Sequence, residues 1–276
     1  MTFDAPFCSN RQMPASEIRA VADNLVEALR FFGRARKDAE IRDLPGVSLI
    51  FCGLNYAAFN AALLTRPLDD NSDELARIIQ VSSSQFESKR LRWTYWLCED
   101  FLGRALTIQA PQMFSRYGLR LLTEAPGMYA DRLRSPLRVL PQLQVREVED
   151  EQTRSTFADV MSIAFEIPRS VSTAVYASER GWGCGFKGYI GYSNGKAVTT
   201  AASMITGDVL GLYSVATLPQ HRRLGFAEAL MRQVIEQARA TAGIQRTVLQ
   251  STPSGLSLYE QMGYRTVTNF EVYIAD

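Results

Sequence analysis

"LPQHRRLGFAEALM", residues 218–231, places two arginines just before a glycine and an apolar run just after it. From Phe226 onward, Ala227, Leu230, Met231, Val234, Ile235 and Ala238 fall on one face of a helix, and Gly243 stops it. The arginines and Gly225 therefore mark a first helical turn. Such a turn carries N–H groups without intrahelical partners and the positive end of the helix dipole. A residue without Cβ lets an anion approach that backbone closely, which points to a phosphate. An ordinary basic loop leading into a surface helix is the competing explanation, and this stretch alone leaves both open.

The whole chain narrows the class. It has 276 residues, 46% hydrophobic and 21% charged, as expected of a soluble protein with one large or two ordinary domains. Thirty basic residues against 29 acidic ones give a net charge of +1. There is no global field to hold nucleic acid or an anionic membrane, so neither is expected as a partner and any phosphate site is local. Cys8, Cys52, Cys98 and Cys184 are scattered, with no Cys-x-x-Cys pair, and His221 is the one histidine. That composition argues against a zinc site and for free thiols in a reducing cytoplasm. "MTFDAPFCSNRQM" has no apolar signal core, and no run reaches membrane-spanning length. A cytoplasmic protein without a metal is expected.

"DRLRSPLRVLPQLQ" (131–144), broken by Pro136 and Pro141, reads as a link that divides the chain into residues 1–138 and 139–276. Beyond it, "LQVREVE" is a strand and 151–165 a helix, and Pro168 opens a second helix. "FKGYIGY" and "KAVTTAASM" form a hairpin through Ser193-Asn194-Gly195. A strand over 209–217 leads into the arginine–glycine helix. "RTVLQST", the short helix "SGLSLYEQM", and the strands "YRTVT" and "FEVYI" complete the half. In the first half the pattern predicts helices over 16–37, 73–87 and 111–117, and strands over 47–51 and 92–97. One internal echo links the halves. "MFSRYGLRLLT" (113–123) aligns with "LYEQMGYRTVT" (258–268), matching Gly118 with Gly263, Arg120 with Arg265 and Thr123 with Thr268. Both stretches read as a short helix, a glycine stop and a strand, the mark of a duplicated fold.

Over roughly residues 143–274 the motifs and element order resemble the GNAT superfamily of N-acetyltransferases. The signature of that family stands here as Arg222, Arg223, Leu224, Gly225, Phe226 and Ala227, with Pro219 at the preceding turn. A second motif is "LYEQMGY". The resemblance implies an α/β (α+β) fold, a mixed and mostly antiparallel sheet flanked by helices, with two tandem GNAT-like halves. The first would be degenerate and non-catalytic and the second catalytic. It implies acetyl-CoA as cosubstrate, its pyrophosphate on the backbone N–H groups from Arg223 to Ala227. The pantetheine arm would lie along Val215, Ala216 and Thr217 of a splayed strand. Tyr259 matches the family's general acid, and a phenol near its ordinary pKa of about 10 can donate a proton at neutral pH. The aligned residue in the first half is Phe114, and "RPLDDNSDEL" there is acidic and has no glycine.

Two departures stand out. Thr252 replaces the family's coenzyme-contacting Asn, and Thr247 stands where some members keep a glutamate base. Glu166, between two helices, is the candidate base, with a water chain or a neutral amine as alternatives. "GWGCGF" (181–186) precedes a strand and so fails the dinucleotide-binding motif; it reads as a flexible loop near the acceptor entrance. Trp93 and Trp96 read as core or interface aromatics. The expectation is an N-acetyltransferase acting on a small-molecule or protein amine, as a monomer or homodimer. A non-catalytic acyl-CoA sensor or regulatory module is the alternative.

Overall fold

The first half of the sequence builds α1 (Ala15–Leu29), β1 (Glu40–Leu44), β2 (Val47–Phe51), β3 (Ala61–Leu64), α2 (Ser72–Ser88), β4 (Trp93–Cys98), α3 (Arg104–Arg116) and β5 (Leu119–Ala130). The second builds β6 (Gln144–Glu147), α4 (Glu151–Phe165), α5 (Arg169–Tyr176), β7 (Phe186–Ser193), β8 (Lys196–Thr206) and β9 (Val209–Thr217). It ends with α6 (Phe226–Ala242), β10 (Arg246–Gln250), α7 (Leu256–Met262) and β11 (Arg265–Ala275). This computed structural model describes residues 14–68 and 70–275, so Cys8 lies outside the described residues. The strands form one sheet in the order β1-β2-β3-β4-β11-β5-β10-β9-β8-β7-β6. Pairing is antiparallel except for β3 with β4 and β9 with β10.

That order shows an exchange. The last strand of each half pairs with the penultimate strand of the other: β5 lies against β10, and β11 against β4. β5 and β11 also pair with each other. The echo read from the sequence marks this repeat. Gly118 (φ 73°) ends α3 and Gly263 (φ 104°) ends α7, each in the left-handed region that favours glycine, and a strand follows each. Ala125 and Phe270, at matching positions beyond the two glycines, face each other across the β5–β11 ladder. The two halves are thus related about their central strand pair.

α1 fastens the halves from the other side. It packs across β8, β9, β10, β5 and β11. Its buried Asn24 donates to the carbonyls of Met204 (3.1 Å) and Val209 (3.4 Å) and accepts from the Tyr213 hydroxyl (2.6 Å). A Cβ on Gly211 would lie 1.7 Å from Asn24 Oδ1, so only glycine fits there. Beyond α1, Phe31 stacks on Tyr176 and Phe186 and meets Trp182 edge-on, carrying the first half onto α5 and β7. α6 and α7 share a core with Met128 and Ala130 of β5.

In the second half most elements fall where the pattern places them, including the 151–165 helix with its Asp150–Thr153 capping box. Asn194 and Gly195 turn the β7–β8 hairpin with φ 51° and 74°. Three expectations change. The first helix ends at Leu29, because the chain must fold back where Ile41 Cγ1 would lie 2.4 Å from a Cβ on Gly33. The helix read from Pro111 begins at Arg104 and holds Pro111 inside it, supported by the buried Leu106, Ala110, Met113 and Phe114. The two final strands are one, β11, with register shifts at Thr266/Thr268 and Val272/Tyr273.

The exchange predicts that neither half folds alone. Fragments 1–138 and 139–276, made separately, should show no cooperative melting by circular dichroism, and coexpression should restore it. A cooperative transition in either fragment by itself would show that its own last strand can fold back to replace the exchanged one.

Candidate active site

β9 and β10 pair only where Val209–Gly211 meets Arg246–Val248, although β9 continues to Thr217. Past Gly211 the two parallel strands part into a fork. On its other side β9 carries a bulge: Tyr213 faces Ala202 and Ala216 faces Thr200, so Ser214 and Val215 both oppose Ala201. Ser214 sits at φ 48°, a strained value for a residue with a Cβ. The Thr200 hydroxyl donates to Ser214 O (3.1 Å) and that of Thr199 to Ala216 O (2.7 Å), which holds the bulge toward β8. Strand alternation then turns the peptide groups of Val215 and Thr217 toward the fork.

α6 starts at the mouth of this fork. A single 3₁₀ turn, Pro219–His221, leads from β9 to Arg222, then to Arg223 at φ 63° and Gly225 at φ 90°. Gly225 is the N-cap and no side chain caps the helix, so its first N–H groups have no side-chain partner. Glu228, the one acid of the first turn, is buried and bound to Arg232 (2.7 Å), which removes its repulsion for an anion. Leu224 and Arg223 are exposed, and Phe226 is buried with His221 edge-on at 5.7 Å.

Arg222 has a different task from the one its motif suggests. Its Nε donates to Thr217 O (3.2 Å) and its Nη2 to Ala164 O (2.8 Å). The side chain ties the end of β9 to the end of α4. Glu166 is the left-handed, exposed cap of that same helix end (φ 56°). Thr252 is exposed in the loop after β10, its hydroxyl 3.0 Å from Ser254 Oγ, and Thr247 is buried with its hydroxyl on Ala130 O.

Tyr259 stands on α7, the helix that leaves the end of β10. The residue is buried, with Tyr264 edge-on at 6.1 Å, and burial pushes its phenol up to about 12. A Cβ on Gly255 would lie 2.8 Å from the tyrosine ring, so the glycine lets the ring lie against the start of its own helix. The phenol is therefore a proton donor throughout the neutral range.

The first half closes each of these features. Leu68 N donates to Phe101 O (2.8 Å), stitching together the chain beyond β3 and β4. At the other end of that pair, where the two strands begin, the buried Asn60 amide accepts from Cys52 N and donates to the Leu54, Tyr56 and Arg92 carbonyls. The N-terminus of α2 is capped by Asn71, which accepts from Asp73 N, and carries Asp73 and Glu74 in its first turn. Phe114 is fully buried and stacks on Tyr273 at 3.9 Å. In the second half, by contrast, the fork stays open and the helix at its mouth has no side-chain cap.

Other residues settle into packing. Trp182 of the glycine-rich loop donates to Tyr176 O (2.9 Å) and packs against Phe31, Phe157 and Phe186, so the loop is anchored at its aromatic; Cys184 is exposed. Trp93 stacks on Phe86, and Trp96 meets Phe270 of the exchanged strand. No helix is long and apolar enough to cross a membrane, and no three His, Cys, Asp or Glu side chains gather to hold a metal ion, among the described residues.

Fork, uncapped helix and buried phenol on an exchanged-strand sheet define an acyltransferase fold. Residues 145–264 match the model of the acetyltransferase (GNAT) family. A GCN5-related N-acetyltransferase from Kribbella flavida is 15% identical, covering 94% of this chain and 95% of its own, with a TM-score of 0.70. One from Sphaerobacter thermophilus is 16% identical over 95% and 94%, with a TM-score of 0.55. A functionally unknown conserved protein from Staphylococcus epidermidis is 9% identical over 85% and 92%, with a TM-score of 0.59. These likenesses establish the fold along nearly the whole chain. No curated protein matches the sequence.

Arg222→Met keeps the aliphatic stem and removes both carbonyl bonds. At about 1 kcal/mol each, their loss should lower the melting temperature by roughly 3–6 °C. An unchanged melting temperature with a large loss of coenzyme A affinity would instead make Arg222 a phosphate ligand.

Proposed function

We propose that the second half transfers an acetyl group from acetyl-CoA to a primary amine, on a small molecule or a protein, in the cytoplasm. The observation that carries this reading is the coincidence of an open β9–β10 fork with the uncapped start of α6, in this half alone. N–H groups from Arg223 to Ala227 hold the pyrophosphate, and Val215, Ala216 and Thr217 offer backbone partners to the pantetheine arm, as an added strand would find at an open edge. Thr252, at the end of the fork, is a further coenzyme contact. A backbone N–H directed into the fork polarises the thioester carbonyl.

The acceptor nitrogen attacks that carbonyl with its lone pair. A C–N bond forms and the C–S bond breaks. Tyr259, kept protonated by burial, gives its proton to the leaving thiolate and regains one from solvent. The proton lost by the attacking amine passes to Glu166 or to water; the exposed carboxylate at the end of α4 is the candidate base. No covalent enzyme intermediate is needed.

Acetyl-CoA should raise the melting temperature clearly. At a hundred times its dissociation constant, linkage gives about 2.7 kcal/mol of stabilisation. No shift at millimolar coenzyme would contradict the assignment of the fork. Tyr259→Phe keeps the ring and should leave coenzyme affinity unchanged while lowering kcat by about 10²-fold. Because the phenol titrates only near pH 12, the native rate should show no alkaline fall from this group below about pH 11. A variant with unchanged turnover would leave water as the acid. Coenzyme binding without thiol release across an amine panel would support the sensor reading.

A further inference from the structure

The segment between β5 and β6 has a long way to go. β5 lies beside β10, whereas β6 is the far edge strand, so residues 131–143 must cross the sheet. They do so over the helices α7 and α6. Arg134 N donates to Met262 O (2.8 Å) at the end of α7. Farther on, Arg138 Nη2 donates to Arg223 O (3.1 Å) in the loop that opens α6. A Cβ built on Gly225 would lie 3.2 Å from Pro141 Cδ and 3.3 Å from Arg138 Nη2. The bare side of the glycine therefore faces the crossing segment.

The composition of that segment suits a ligand better than a bare connection. Arg132, Arg134 and Arg138 stand against the single Asp131, in a chain whose net charge is only +1. Asp131 is already engaged by the Tyr129 hydroxyl (2.9 Å). Arg138 brings a third guanidinium to a loop that carries Arg222 and Arg223, an accumulation of positive charge that a polyanion relieves. On either side of Arg138, Leu137 is 79% and Val139 96% exposed, and Leu224 across the loop is 53% exposed. Neighbouring apolar side chains left in water beside clustered cations mark a binding surface. An apolar, planar base bearing phosphates satisfies both features.

We propose that residues 134–141 form a wall of the coenzyme site. Arg138 is a ligand of the nucleotide phosphates, and Leu137 and Val139 are an apolar bed for the adenine. This rests on the reading that the backbone from Arg223 to Ala227 holds the pyrophosphate. It adds a nucleotide-binding element that comes from the connection between the halves. The site then grips both ends of the donor: the fork takes the pantetheine and the crossing segment takes the adenosine.

Calorimetric titration of the full chain with coenzyme A and with 4′-phosphopantetheine, which lacks the nucleotide, tests the assignment. Arg138→Ala should weaken coenzyme A binding about tenfold, the scale of one charge-assisted contact, and leave phosphopantetheine within about twofold. Val139→Asp, at a fully exposed position that folding does not need, should show the same split. An Arg138→Ala chain that loses affinity for both ligands alike would make the arginine a support for the Arg223 backbone and overturn the proposal. Unchanged coenzyme A affinity in both variants would overturn it while leaving the fork's role intact. A native chain that binds neither ligand would end both readings. Should Arg138→Ala fail to fold, Val139→Asp decides alone.

Discussion

The pairing of β5 with β11 is the contact on which the other features rest. Each strand belongs by sequence to one half and by hydrogen bonding to the other, so the halves share a sheet and a core. Without β5, β10 would have no partner on that side, and the fork against β9 would lack a fixed arm. The exchange also sets the path of the chain: a strand delivered next to β10 must return across α7 and α6 to reach β6. The crossing segment over the start of α6 is thus a consequence of the exchange.

Duplication followed by specialisation is written into individual residues. Both halves have a parallel strand pair, a helix behind it, and a helix–glycine–strand ending. In the first half the Leu68–Phe101 bond stitches the region past the parallel pair, and Asn71 caps α2. In the second, the bulge at Ser214 and the uncapped Gly225 keep the equivalent places open. What the first half contributes instead is support: Asn24 locks the base of β9, and Phe31 packs behind β7 and α5. An open site is costly in backbone hydrogen bonds, and a closed copy alongside it supplies the missing rigidity.

Much of this was legible because it is local. Helical periodicity after Gly225, the Asn194-Gly195 turn and the repeated glycine stops carry their own physics in a few consecutive residues, and each element stands where the pattern puts it. The exchange was not legible, since a strand's apolar alternation does not say which neighbour it will meet. The short strands β1 and β3 were missed because "EIRDL" and "AALL" carry no alternation of their own. The role of Arg222 was hidden for a similar reason: its partners, Thr217 O and Ala164 O, are backbone atoms without a residue signature. The bulge at Ser214 had no sequence mark, since nothing in "LYSVAT" announces a serine at positive φ. The Glu228–Arg232 pair, by contrast, has the i,i+4 spacing from which it could have been inferred.

The exchange also bears on the order of events during synthesis. β4 finds its neighbour on one side only in β11, a strand of the second half made long after it. The first half therefore leaves the ribosome with β4, which carries Trp93, Tyr95 and Trp96, paired to β3 on one edge and open on the other until β11 is made. Such a wait exposes apolar surface and a free edge, the conditions under which chains associate wrongly. Completion of the first half's sheet is thus tied to synthesis of the second half, and its earliest-made strands wait longest for their last neighbour.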